Sequence, residues 1–540
     1  RPVGVFRLEA GGGGPSLPAA SPLPRPMLRP ALVLAALLLV LPLRPGAAGE
    51  VTLRAGDLFP LGQGRWLAAG LELPAPDPAL PLLGPGLPAD AARLLRRHAA
   101  RGAAHGFGGL LYDNRDRGHS ALSPERFPRL ARLAYGPALR ERNADYGLAG
   151  AILLPAIVLG NSSTAITAGP AARSLPRLAM TSDTGPAASA RLYRSDALYV
   201  YPEHRDHDAA DRFPANWPYT VISQGSSGSD RAFLQALALT LAAFRPETMA
   251  ALREHRLVAP ALQAILRRNL APVRRPADYL TGAAHPVAFD AADLRPGRMV
   301  GHAAAMAADA IPPRVRLEVV EETFGGAAGL AGRSERLFDT PQAVARVWRG
   351  FAWEQTMRVS AARTTDPNGR ALTFSWRLLQ GDPEQVEIAP LDPAGRQARL
   401  TIRWHAPWSV PAPRAGAPAG RRLSRVDIGV FADNGAEVSA PAFVSVSFPA
   451  HQIRRYEEAT PLPRLAAIDY DAIGREAPYD PLLHWSAPWT DTAQRDAAGT
   501  LTGWRRRHAD GRVTEIPVSA AAYRIDATDP ARPVLAEPPE

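Results

Sequence analysis

The chain has 540 residues, 46% of them hydrophobic, with no cysteine and a formal net charge of +10. That apolar fraction excludes a disordered chain, and the length exceeds what one core serves, so two or three globular domains are expected. Without cysteine there is no disulfide, no thiolate catalysis, and no Cys-ligated zinc or iron–sulfur centre. The basic charge does not imply a nucleic-acid partner. All 62 basic residues are arginine, scattered apart from short runs such as Arg96-Arg97 and Arg505-Arg506-Arg507, whereas counterion-release binding needs a concentrated basic face.

Residues 1–26 are rich in Gly and Pro and precede Met27; they read as a segment upstream of the true start. Residues 27–49 read as a signal peptide. Arg29 leads into the apolar stretch ALVLAALLLVLPL, too short to cross a bilayer, and Gly46-Ala47-Ala48-Gly49 supplies the small residues a signal peptidase needs. Cleavage near Gly49 leaves a mature chain beginning at about Glu50, with an extracytoplasmic location (periplasm, cell surface or secreted). No later segment is long and apolar enough to form a transmembrane span.

Residues 50–330 predict an α/β or α+β domain. Helices are expected over Asp90–Ala104, Ser229–Phe244, Pro246–His255 and Val258–Asn269, where apolar residues recur at helical spacing. Ala149–Leu159 reads as a buried strand, with Pro155 arguing against a central place in a sheet. Ala197–Tyr201 and Tyr219–Ser223 read as two more strands. Residues 331–352 read as a linker. From 353 to 450 the apolar period becomes two, with Asp/Gly turn signals between short runs, and a β-sandwich is expected. Residues 451–540 read as a C-terminal extension carrying a β-hairpin.

The stretch Asp366–Trp376 (DPNGRALTFSW), then VEIAP, RLTIRWHAP and VDIGVFADNGAEVSAPAFVSVSF, resembles the PKD-like, immunoglobulin-like modules of bacterial surface and secreted proteins. In those modules an Asp-rich turn leads into a strand carrying a Trp, matched by Trp376, and a later turn is matched by Asp433-Asn434-Gly435. The resemblance covers residues 353–448 and departs from the family at the proline-rich insertion Pro407–Gly420. It implies a spacing, orienting or binding role and a bacterial exported protein. Gln494–Arg507 is similar to one hairpin of the YD-type repeats, and a single copy is not an array.

Three segments carry candidate chemistry. In Tyr219–Phe233 (YTVISQGSSGSDRAF) a strand runs through Gly225-Ser226-Ser227-Gly228 into a helix. Gly225, Gly228 and Ser229 are candidates for anion binding at the helix start, and Ser226 and Ser227 for a nucleophile. The pattern is neither G-x-S-x-G nor a P-loop. Upstream, His204, His207 and Asp208 lie in a polar loop, EHRDHD, and are candidates for acid–base work or a divalent metal site; no other cofactor is indicated. The third segment, Tyr112–Ser120, contains Asp113, Asn114, Asp116 and His119. Counted to Glu125 it is close to a calcium loop, but Gly118 and His119 stand at the wrong places. A polar loop after a strand is the expectation there, and Asn161-Ser162-Ser163 matches a glycosylation sequon.

With no complete catalytic signature, the expected function is ligand binding or structure outside the cytoplasm. The expected partner is a cell-envelope or extracellular polymer, or a small ligand. The alternative is a secreted hydrolase that joins the Ser-rich turn to the adjacent His/Asp loop.

Overall fold

The computed structural model describes residues 49–148, 151–167, 172–410, 420–470 and 489–518, with isolated residues between and short pieces up to 536. The expected signal peptide and most of the Pro407–Gly420 insertion lie outside that range. Among the described residues, no helix is long and apolar enough to cross a membrane.

The first layer is a six-stranded, wholly parallel sheet. Its strands are β1 (Glu50–Leu53), β2 (Leu110–Asn114), β3 (Ala131–Tyr135), β4 (Ile157–Asn161), β5 (Ala197–Pro202) and β6 (Thr220–Ser223), in the order β1-β3-β2-β4-β5-β6. β4, β5 and β6 are buried at every position, as expected of a sheet covered on both faces. Helices α1 (Ala89–Ala100), α4 (Arg231–Ala243), α5 (Pro246–Glu254), α6 (Val258–Arg268) and α7 (Pro296–Ala305) share one core with Tyr112, Leu159, Val200 and Val221. On the other face, Leu175 of helix α2 (Leu175–Thr181) packs with Leu53, Leu111, Val158 and Tyr199. Helix α3 (Gly185–Arg194) packs beside α2. The α/β expectation for this part of the chain holds at that level.

Two local expectations change. The apolar run before Gly160 is not one strand: Ile152–Leu153 joins a small three-stranded sheet, Pro155 breaks the run, and β4 starts at Ile157. Because Pro155 falls in the break, β4 keeps its ladder and sits at the centre of the sheet. The first helix ends at Ala100, four residues short of the expected end, where Gly102 turns left-handed.

Beyond residue 311 every regular element among the described residues is a β-strand. A four-stranded antiparallel sheet, in the order Glu318–Glu322, Glu354–Ser360, Gln397–Arg403, Val386–Pro390, shares one core with a five-stranded sheet. The latter runs Arg336–Thr340, Ala343–Val347, Ala442–Ser447, Arg425–Asp433, Thr373–Gln380. Trp348, Leu400, Ile428 and Phe448 fill the space between them. Residues 331–352, expected as a linker, therefore supply two strands of the second sheet. The Asp366 and Asp433 turns interlock: Asn434 Nδ2 donates to Asp366 Oδ1 at 2.7 Å and to the Ile311 carbonyl at 3.0 Å. The tail is more than a hairpin. Trp489–Arg495 and Leu501–His508 are the third and fourth strands of a five-stranded antiparallel sheet that has its own core around Trp489 and Trp504.

Candidate active site

In a parallel α/β sheet, ligands bind outside the carboxyl ends of the strands where the strand order reverses. Here the chain moves from β2 outward to β3, then returns to place β4 on the other side of β2. The crevice between β2 and β4 is that switch point. The loops that meet above it are Arg115–Ser120 after β2, Ser162–Thr164 after β4, Glu203 onward after β5, and Gln224–Ser229 between β6 and α4.

A buried polar chain ties the strand ends together. Asn114 Nδ2 donates to the Tyr112 hydroxyl at 3.0 Å, Tyr112 donates to Asn161 Oδ1 at 2.8 Å, and Asn161 Nδ2 donates to Asp230 Oδ2 at 2.7 Å. Asp230 is fully buried, and burial raises its pKa. Asn114 also shapes the first loop, since its Oδ1 accepts from the N–H groups of Asp116 (2.8 Å) and Gly118 (3.3 Å). Asp113, beneath the loop, serves structure: it accepts from Arg115 at 2.7 Å, Tyr199 at 2.6 Å and Tyr135 at 3.0 Å. These uses of Asn114 and Asp113 replace the calcium-loop pattern.

The loops bring His119, Asp116, Ser163 and Ser227 into one cluster. His119 Nδ1 lies 2.7 Å from Ser227 Oγ, 2.9 Å from Ser163 Oγ and 3.2 Å from Asp116 Oδ2, and Nε2 lies 3.3 Å from Ser227 Oγ. Ser163 donates to Asp116 Oδ2, and Ser227 Oγ stands 3.3 Å from Ser163 Oγ. The His119 side chain is 61% exposed and that of Asp116 only 9%, so the imidazole can meet a solute while its carboxylate stays shielded. Ser163 is buried with its proton committed to Asp116, whereas Ser227 is exposed beside the imidazole. Ser227 is thus the exposed hydroxyl in contact with the imidazole.

The expected partners of the serine loop fall elsewhere. His204 reaches the cluster only through Nε2, which donates to the Ser163 carbonyl at 2.6 Å. His207 is buried 3.9 Å from Asp211, and burial lowers its pKa. Asp208 is exposed and interacts with Glu203. The loop therefore does not fold over the serines as a His/Asp dyad. Nor do its members converge on a metal: among the described residues no group of three His, Asp or Glu side chains is placed to hold one. Ser226 is exposed and its carbonyl accepts from Ser229 N–H at 3.1 Å. Of the anion candidates, Gly225 N–H is occupied by Glu203 Oε1 at 3.1 Å and the Ser229 hydroxyl by Ser223 at 2.8 Å. Gly228, with φ of +97°, makes the turn into α4.

Backbone strain gathers around the crevice. Eight described non-glycine residues have left-handed φ, and four of them, Arg117, Ser120, His204 and Arg205, belong to these loops. Such conformations each cost about 1–3 kcal/mol and persist where the surroundings over-determine them, often at functional sites. A cavity of about 730 Å³ adjoins the first loop, lined by Tyr112, Asn114, Arg117, Gly118, Arg132 and Tyr135 among others.

No family model and no curated protein matches the chain. Among solved structures it is similar to a nucleoside hydrolase-related hypothetical protein from Saccharophagus degradans that is associated with carbohydrate metabolism. The likeness has 10% identity and a TM-score of 0.20, covering 63% of this chain and 98% of the other. At that score it carries no argument, and the chemistry rests on the site's own geometry.

Proposed function

We propose that the chain is a hydrolase that uses Ser227 as nucleophile and His119 as general base. The observation that carries this reading is the 2.7 Å contact between Ser227 Oγ and His119 Nδ1 at the sheet's switch point, within the reach proton transfer requires. In the reaction Ser227 Oγ attacks an acyl carbon or phosphorus as its proton passes to Nδ1. The bond to the leaving group breaks as that group takes the proton, and water then hydrolyses the enzyme ester, its proton passing through Nδ1 back to Ser227. That nitrogen then lies 3.2 Å from Asp116 Oδ2, where a carboxylate stabilises the imidazolium that forms. Ser163 orients Asp116 by donating to the same oxygen. This differs from the two-sided relay in which acid and serine bind opposite nitrogens, because Asp116, Ser163 and Ser227 all gather on Nδ1. The positive end of α4, four residues beyond Ser227, favours the oxyanion that develops.

The reading extends to the rest of the chain. The enzyme domain is exported, its β-sandwich is a PKD-like module, and the substrate is presented outside the cytoplasm. The test is labelling of the full chain by a fluorophosphonate, a serine-directed phosphorylating probe, with the adduct located by mass spectrometry. The adduct is expected on Ser227, lost in Ser227→Ala and slowed about 10²–10⁴-fold in His119→Ala, the range that a positioned base contributes. Undiminished labelling of Ser227→Ala overturns the proposal.

A further inference from the structure

Glu203 is fully buried, yet it belongs to neither the nucleophile nor the base. Its two carboxylate oxygens face two different segments. Oε1 accepts from Gly225 N–H in the serine loop at 3.1 Å, and Oε2 accepts from His207 N–H at 2.9 Å. Backbone bonds reinforce the first link: Glu203 N–H donates to the Ser223 carbonyl and His204 N–H to that of Gly225, at 3.0 and 3.1 Å. The second link leads out of the α/β layer. From His207 to Asn216 the chain forms a strap held by the β-sandwich. Arg421 Nε donates to the His207 carbonyl at 2.7 Å, Arg422 N–H donates to that of Ala209 at 3.0 Å, and Arg425 pairs with Asp211 at 2.9 Å.

We propose that Glu203 is the positioning residue of the serine loop, and that through it the β-sandwich sets where Ser227 stands relative to His119. The inference rests on the hydrolase reading above and adds a residue that touches no reacting atom. The physical argument is one of constraint. Gly225 has φ of +122°, a region open chiefly to glycine, so intrinsic preference does not fix this turn. The Glu203 carboxylate on the Gly225 N–H, with the His204 N–H on its carbonyl, supplies the anchor two residues before the nucleophile. A displacement of about 1 Å at a reacting group can cost about 10²-fold in rate, so even a small slackening of the turn is visible in catalysis.

The decisive variant is Glu203→Gln, which keeps the shape. Its amide has one acceptor oxygen, so either Gly225 or His207 loses its partner. Fluorophosphonate labelling of Ser227 is expected to slow about tenfold, and turnover of a small activated ester to fall similarly in kcat with KM within twofold. Arg421→Ala, which frees the His207 carbonyl at the end of the strap that Glu203 holds, is expected to slow labelling in the same direction by a smaller factor. A Glu203→Gln rate within twofold of wild type, where Ser227→Ala is unlabelled and His119→Ala is slowed at least about 10²-fold, overturns this proposal and leaves the hydrolase reading standing. Retained labelling of Ser227→Ala sinks the hydrolase reading itself.

Discussion

Glu203 also has a consequence for stability that is independent of catalysis. Burial pushes its carboxyl up to about 7, with the nearby Asp208 adding to the rise and the two backbone N–H donors opposing it. Arg212 and Arg421 also interact electrostatically with it, and burial lowers the pKa of His207, whose N–H it accepts. A carboxyl with a raised pKa in the folded state favours folding while protonated. Its contribution is complete below the ordinary glutamate value of 4.5 and is lost as pH rises through about 7. The melting temperature of the wild type is therefore expected to decline between about pH 4.5 and 7 and to level off above, and Glu203→Gln to flatten that part of the curve. Differential scanning calorimetry across about pH 4–8 measures both; an unchanged slope in the variant contradicts the assignment. His207 cannot imitate this, since a histidine with a lowered pKa gives stability that increases as pH rises from the acid side.

At the scale of elements, the crevice depends on how closely β4 and β5 approach. Gly160 lies in β4 directly under the Tyr199 ring: a Cβ built there would stand 2.2 Å from the ring and 2.7 Å from the Asp113 carbonyl oxygen. Only a bare Cα lets Tyr199 cross β4 and donate to Asp113 at 2.6 Å. Gly160→Ala is expected to destabilise the domain by about 1–3 kcal/mol or more, the usual cost of overpacking a core. Urea denaturation with an unchanged m-value would show it; a shift of under about 0.5 kcal/mol would mean that the layer is softer than its packing indicates. The same region marks what the sequence reveals. SDRAFLQALALTLAAF announces α4 through its apolar density, and the Ser-rich turn before it is visible as a strand–turn–helix. The pairing of His119 with Ser227 is not visible, because 108 residues separate them and only the strand order brings their loops together. Proximity in sequence points to His204 and His207 instead, and His207 belongs to a buried network with Asp211 and Arg425 that faces the sandwich. The two strands in 331–352 escape notice for a related reason. Arg346 is wholly buried there, bonded to Glu322 and Asp339, and a buried charge pair interrupts the apolar alternation by which strands are recognised.

For the molecule as a whole, the α/β layer and the sandwich share side chains rather than merely touching. Ala343 and Phe431 of the sandwich sit in the core of the helices. Tyr219 of the α/β layer donates to Thr340 at 2.7 Å and accepts from Gln342 N–H at 2.9 Å. A third tie is Arg425, 1% exposed, which binds Asp211 of the strap and Asp427 of its own strand and donates to the Phe213 carbonyl at 2.6 Å. Burial alone would raise the pKa of Asp211, but Arg425 and then His207 outweigh it and hold the carboxyl well below the usual range. Since a depressed carboxyl stabilises the fold above its unfolded value, this contribution is lost as pH falls below the ordinary aspartate value of 3.8. Replacing Arg425 by methionine leaves two buried carboxylates unpaired, a situation that costs about 3–5 kcal/mol. The double variant Arg425→Met/Asp211→Asn keeps one of those unpaired charges, on Asp427, and removes the other, so it should recover part of the loss. A buried tie of this kind predicts that the two layers unfold together, in one calorimetric transition in the wild type. In Arg425→Met the transition should split or shift downward as a whole. Two separate transitions in the wild type would show instead that the sandwich is an independent appendage, and Ser227 would then have to be positioned without it.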